Sequence, residues 1–311
     1  MPIPPSILSL STCWNSHRHT DGRLLAEEAR DLGFEWIEVS HGTKISLLPG
    51  LLEAVAAREI KVSSVHNFCP PPVEVLMDAP DVYEFTSPKA WERNRAILLT
   101  QKTLAMAPRF GTDRVVIHLG SARVRSITDK LEAMARGGQL YSRDYCNLKL
   151  KLVAQREAAS AQALEYVRIA LDQLLPVCEK EGVRLGIETR SHYEQIPNQR
   201  EMLLLLDEYK DCPWIGSWHD FGHVQRQANL ALLDPGLYLS QIAPRLLGCH
   251  VHDVQWPMKD HRAPLSTGGV ALEKWLPLLP PGVPLIWELS PGIRRDDLVV
   301  ALSRWQEKFS A

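Results

Sequence analysis

Four short stretches place carboxylates and imidazoles directly after apolar runs: Gly186-Ile-Glu188, His219-Asp220-Phe-Gly-His223, Gly248-Cys-His250-Val-His252-Asp253 and Trp287-Glu288. Carboxylate oxygens and imidazole nitrogens are the hard or borderline donors that divalent metal ions take. His66 and His118 close two further apolar runs, so six successive candidate strands end in or beside a histidine or a carboxylate. A carboxylate buried behind Val183-Arg-Leu-Gly-Ile or Pro284-Leu-Ile-Trp is costly unless something compensates it. For Glu188 the bland compensation is an ion pair with Arg190, whereas Glu288 has no charged neighbour close in sequence, which favours a ligand. The Asp-x-x-His spacing at a strand-to-loop turn lets His223 fold back towards Asp220. Side chains alternate along a strand, so His250 and His252 share one face, and His219 points away from Asp220. Taken singly, His66 and His118 fit a hydrogen bond inside a polar mouth as well as they fit a ligand.

The elements that must carry these residues follow from alternating short β-type and longer helical patterns. Strands are expected at Ile7–Ser11, Trp36–Ser40, Val62–His66, Arg114–His118, Arg184–Glu188, Trp214–Asp220, Leu246–His252 and Leu285–Glu288. Eight parallel strands with intervening helices make a single-domain α/β fold, a (β/α)8 TIM barrel, whose function sits at the C-terminal strand ends. Leu164, Val167, Leu171, Leu174, Leu175 and Cys178 recur at helical spacing, and Leu298, Ala301, Leu302, Trp305 and Phe309 predict a final helix. Gly33, Gly111 and Gly182 stand where helices should stop.

Two segments break this rhythm. The proline-rich residues 67–86 predict a loop walling the barrel mouth. Residues 121–158 carry eight Lys or Arg against four Asp or Glu and predict a helical insertion after strand four. That insertion is either solvated or a lid whose basic residues meet an anionic substrate. Asp260-His261, in the loop after strand seven, could add a metal-binding element. Trp14, His17 and His19, after strand one, could wall a substrate pocket, and so could Trp91 and Trp256, although packing is the plainer reading for tryptophan.

With 311 residues and 45% hydrophobic content the chain can bury a large core without disulfides. Its six cysteines form no C-x-x-C pair and read as reduced thiols, and no signal-peptide pattern or membrane-length apolar run is present, so a cytoplasmic protein is expected. A net charge of −2 argues against a nucleic-acid or anionic-membrane partner. A homo-oligomer is compatible with all of this.

At the four stretches named first, the sequence resembles the xylose isomerase-like barrel superfamily, which contains sugar and sugar-phosphate isomerases and epimerases together with endonuclease IV-type enzymes. The resemblance spans nearly the whole chain. In the isomerase and epimerase branch a Glu, Asp, His, Glu quartet binds one divalent ion, commonly manganese, with magnesium, cobalt or zinc as alternatives. Here the matching residues are Glu188, Asp220, His250 and Glu288. The resemblance implies a small carbohydrate substrate, contacted by His223; His66, His118, Arg190, Trp14 and His252 are further candidate substrate contacts from their positions in the sequence. The implied chemistry is isomerisation or epimerisation through an enediolate, with Glu188 and Glu288 exchanging protons with carbon. In the endonuclease branch the same frame holds three zinc ions and uses further histidines, matched by His66 and His118. That branch expects Asp-x-His after strand seven, and Asp260-His261-Arg262 departs from it by placing the histidine one position early. A lyase acting on a modified sugar or glycoside is a further alternative.

Overall fold

The computed structural model describes residues 6–75 and 79–309. All eight expected strands are present: β1 (Leu8–Ser11), β2 (Trp36–Val39), β3 (Lys61–His66), β4 (Arg114–Ile117), β5 (Arg184–Glu188), β6 (Ile215–Asp220), β7 (Leu246–Val251) and β8 (Leu285–Trp287). Each pairs in parallel with the next and β8 pairs with β1, closing the barrel. Every crossover between parallel strands needs a returning segment, and apart from the mainly loop connection from β7 to β8 these are helical. They include α1 (Gly22–Asp31), α2 (Leu48–Ala56), α3 (Ala90–Met106), α4 (Thr128–Arg136), α5 (Arg143–Glu181), α6 (Gln199–Glu208), α7 (Phe221–Asn229) and α8 (Pro235–Ile242), and α9 (Arg295–Phe309) closes the chain. Gly33, Gly111 and Gly182 all take positive φ after helical segments, as their positions demanded. Among the described residues no helix is long and apolar enough to cross a membrane.

The barrel has two hydrophobic layers. Outside, helix faces such as Leu164, Val167, Leu171 and Leu174 of α5 pack on the strands, and Trp305 of α9 meets Trp287 edge-to-face with 5.5 Å between ring centroids. Inside, Val116, Trp218 and Ile286 form a small apolar floor. The Trp218 indole fits there because its flanking strands carry glycine: a Cβ on Gly186 would lie 2.9 Å from the indole, and one on Gly248 only 2.2 Å. The His250 ring rests against the edge of that floor, 5.4 Å from Trp218.

The segment after β4 differs from the expectation in two ways. Its expected end near residue 158 falls inside α5, a 39-residue helix that continues unbroken into the barrel layer. Nor does any described residue of 121–158 line the cavity at the mouth. Instead Ile127, Leu131, Tyr145 and Leu152 build a second core with Leu230 and Met258. Arg156, one of the basic residues, is fully buried in a two-pronged pair with Glu201 and donates to the carbonyls of Tyr193 and Gln195 at 2.7 Å. The insertion therefore buttresses the loop after β5, which does face the cavity.

Candidate metal centre

Glu188, Asp220, His250 and Glu288 stand at the ends of β5, β6, β7 and just beyond β8, and all four are buried. One donor atom from each lies within 4.8 Å of the others. His250 Nδ1 faces the three carboxylates, at 3.3 Å from Glu188, 3.5 Å from Glu288 and 3.7 Å from Asp220. Helix formation helps to fix this geometry. Asp220 is the N-cap of α7 and accepts the backbone N–H of His223 at 2.7 Å, which explains the Asp-x-x-His spacing. His223 Nδ1 then lies 3.3 Å from Glu188 and 3.4 Å from Asp220.

Imidazoles surround this cluster. Glu188 Oε2 faces His66 Nε2 at 3.1 Å and His118 Nε2 at 2.8 Å. The outer nitrogens are also engaged: His66 Nδ1 lies 3.0 Å from the Asn67 carbonyl, and His118 Nδ1 lies 2.8 Å from Asp81. Carbonyl and carboxylate accept only, so protons belong on both Nδ1 atoms and both Nε2 atoms turn towards Glu188. Burial alone would raise the Glu188 carboxyl, but His118 and His250 outweigh it and hold it well below the usual range. Burial works against protonated His250 too, yet Glu288, Glu38 and Glu188 raise its pKa well above that of a free imidazole. His223 is pushed up to about 9, against burial, by Asp220 and Glu188.

This charge pattern tests the fit of a metal. The carboxylates of Glu188, Asp220 and Glu288 have imidazoles and no lysine or arginine as ion-pair partners among the described residues. Three buried carboxylates and one imidazole nitrogen converging on a point form a donor set suited to manganese, magnesium, cobalt or zinc. The residues fit a divalent ion.

A cavity of about 440 Å³ opens above the quartet and is lined by Glu188, Glu288, His118, His223, His261 and Arg190, with Asp81, Arg226 and Asp260 around them. Arg190 pairs with Asp81 at 2.8 Å and not with Glu188. Asp260 pairs with Arg226, and its carboxyl is held near pKa 2, against burial, by His261 and Arg226. Pro80 and Asp81 bring part of the proline-rich loop to the wall, as its position after β3 suggested.

Other expected contacts are not made. Trp14 is wholly buried, donates its indole N–H to the Ile293 carbonyl at 2.8 Å, and lies in the core and not in the mouth. His252 is also fully buried behind Asp220: its Nε2 lies 3.0 Å from that carboxylate and its Nδ1 accepts the His261 backbone N–H at 2.9 Å. It can orient Asp220 but cannot touch a substrate in the cavity. His66 sits beneath Glu188, at 1% exposure, and does not line the cavity. His19 pairs with Glu28, while His17 lines a neighbouring cavity of about 570 Å³. Trp91 and Trp256 are exposed at the surface. Sequence reasoning missed Glu38 and three residues that line the cavity, Asp81, Arg226 and His41, the last lying just past the expected end of strand two. Glu38 ends a strand-like run as the others do and was detectable by that signal; Asp81 and Arg226 had none.

Among solved structures, a D-tagatose 3-epimerase-like protein is 17% identical, with 97% of this chain and 96% of that chain covered at a TM-score of 0.67. The D-allulose 3-epimerase from Methylomonas sp., solved in complex with D-allulose, is 14% identical over 99% of both chains, TM-score 0.65. The IolI protein with a bound zinc atom is 12% identical over 98% of this chain and 99% of that one, TM-score 0.63. At these identities the likeness is one of fold. No curated protein sequence matches the chain. The family described as xylose isomerase-like TIM barrel matches residues 26–289, a span that holds all eight strand ends but β1 and every member of the quartet, and the chain belongs to that family.

Proposed function

We propose that this protein is a divalent-metal-dependent isomerase or epimerase of a sugar, sugar phosphate or sugar derivative. The observation that carries the proposal is the convergence of Glu188, Asp220, His250 and Glu288 beneath a cavity of about 440 Å³ whose wall includes histidine, arginine and carboxylate side chains. The similarity in fold to proteins described as sugar 3-epimerases supports it. Bound by the quartet, a divalent ion, manganese first among the candidates, would act as a Lewis acid towards a substrate carbonyl. The chain's own residues then move the proton. Glu288 lines the cavity and keeps longer contacts, 3.5 Å to His250 and 3.6 Å to His261, so it is the better-placed base for a C–H beside the carbonyl. Loss of that proton leaves an enediolate. A proton returns to carbon from the Glu188 side. One taken from solvent at the cavity passes over His118 Nε2 to Glu188, which carries it only transiently because its resting form is ionised, and Glu288 releases the abstracted proton to solvent. His223 and Arg190 orient hydroxyls. The reading is tested by incubating manganese-loaded protein with a ketose panel in deuterium oxide: exchange at the carbon beside the carbonyl is expected, and its absence for every sugar and metal sinks the reading.

One observation favours a second reading. His66, His118 and Glu188 form another group of converging donors, with their outer nitrogens already committed to Asn67 and Asp81. A second ion there would suit metal-assisted phosphodiester hydrolysis. A third ion at His223, His252 and His261 is disfavoured, because both ring nitrogens of His252 are occupied. The near-neutral net charge offers no attraction to nucleic acid. Metal analysis separates the readings: one ion per chain supports the isomerase or epimerase, two or more the hydrolase.

A further inference from the structure

Glu38 lies near the end of β2, three strands round the barrel from β7, and is fully buried. Its place is set by strand register. Ser11 of β1 and Ser64 of β3 are its direct neighbours, and the second pairing exists only because the β2–β3 register shifts between Ile37 and Glu38. Such an irregularity re-aims a side chain. The Ser11 hydroxyl donates to one carboxylate oxygen at 3.0 Å and the Ser64 hydroxyl to the other at 2.7 Å. Both oxygens then sit 3.2 Å from His250 Nε2. Glu38 does not line the cavity and cannot reach a substrate.

This arrangement has a chemical consequence. An ionised carboxylate only accepts, so the Nε2 facing it must carry a proton, and the lone pair of neutral His250 is then on Nδ1. Nδ1 is the atom that faces Glu188, Asp220 and Glu288. We propose that Glu38 is a positioning residue of the metal centre: pinned by Ser11 and Ser64, it fixes the tautomer and ring orientation that make His250 a ligand. The inference rests on the metal-dependent reading above and adds to it a device in the barrel interior that no substrate meets. Partners of this kind on a ligand histidine typically change metal affinity by about 10- to 100-fold.

The test is the manganese dissociation constant, read by calorimetry and by the electron paramagnetic resonance of free Mn²⁺, in wild type, Glu38→Gln and Glu38→Leu. Thermal midpoints of the metal-free proteins are measured alongside. Glutamine keeps an acceptor for Nε2–H and should bind manganese within a few-fold of wild type. Leucine removes the acceptor and should weaken binding about 10- to 100-fold while the metal-free protein stays folded. If Glu38→Leu does not fold, Ser64→Ala, which frees one carboxylate oxygen, should weaken binding to a smaller degree. Unchanged affinity in Glu38→Leu or Ser64→Ala with a lowered midpoint overturns the proposal and makes Glu38 purely structural. Glutamine as damaging as leucine overturns it in favour of a simple charge effect. Wild type that binds no manganese removes the metal-dependent reading itself, a result distinct from either of these.

Discussion

Asp220 accepts the backbone N–H of His223 at 2.7 Å through one oxygen, while its other oxygen stands 3.7 Å from His250 Nδ1. One carboxylate thus starts helix α7 and completes the donor quartet. The two duties separate by mutation. Asparagine caps helices as well as aspartate, whereas alanine loses about 1 kcal/mol at such a position. Asp220→Asn should therefore lose metal binding and keep the cap, and Asp220→Ala should lose metal and be the less stable of the two. Denaturant melts of the metal-free proteins decide this, with equal stabilities counting against the cap.

Glu288 is the carboxylate with the loosest contacts facing the cavity. Glu288→Gln should lower turnover by about 100- to 10,000-fold, the range for removing a general base, with little change in the far-ultraviolet spectrum of the protein. Activity near that of wild type would show that the base lies elsewhere.

Metal binding should depend on pH with a definite sign. His250 and His223 are raised, against burial, by the carboxylates around them, His223 to about 9. At neutral pH the metal-free site therefore holds protons that a cation must displace, His250 foremost because its Nδ1 is a ligand atom. Affinity should rise as pH increases from about 6.5 towards 9, and the calorimetric enthalpy should vary with the ionisation enthalpy of the buffer. An affinity independent of pH across that window contradicts the assignment of His250.

Arg156 and Glu201 form a buried pair that ties α5 to the start of α6 and to the loop carrying Tyr193 and Gln195. Breaking a buried pair strands the remaining charge and costs about 3–5 kcal/mol. Arg156→Met should be destabilised on that scale, and adding Glu201→Gln should restore part of the loss. Since Gln195 lines the cavity, the single variant should also raise KM more than it lowers kcat. Urea melts and steady-state kinetics check both expectations.

Local chemistry alone determined the eight strands, the helices between them and the acidic or histidine residue closing each of β3 to β8, because apolar runs, turn glycines and strand alternation are short-range signals. The proximity of Glu188, Asp220, His250 and Glu288 followed once a closed barrel was expected, since closure brings all strand ends to one rim. Tertiary structure decided the rest. Glu38 and His250 are 212 residues apart in sequence, and they meet only because closure of the barrel brings the inward faces of β2 and β7 together, while the extra residue of β3 at the register shift sets Ser64 beside the carboxylate. β7 ends at Val251, so the alternation that placed His250 and His252 on one face does not reach His252, and it went to the back of Asp220 instead of the cavity. Trp14 went into the core because burial of a large aromatic ring depends on space left by distant residues, and no local pattern encodes that space.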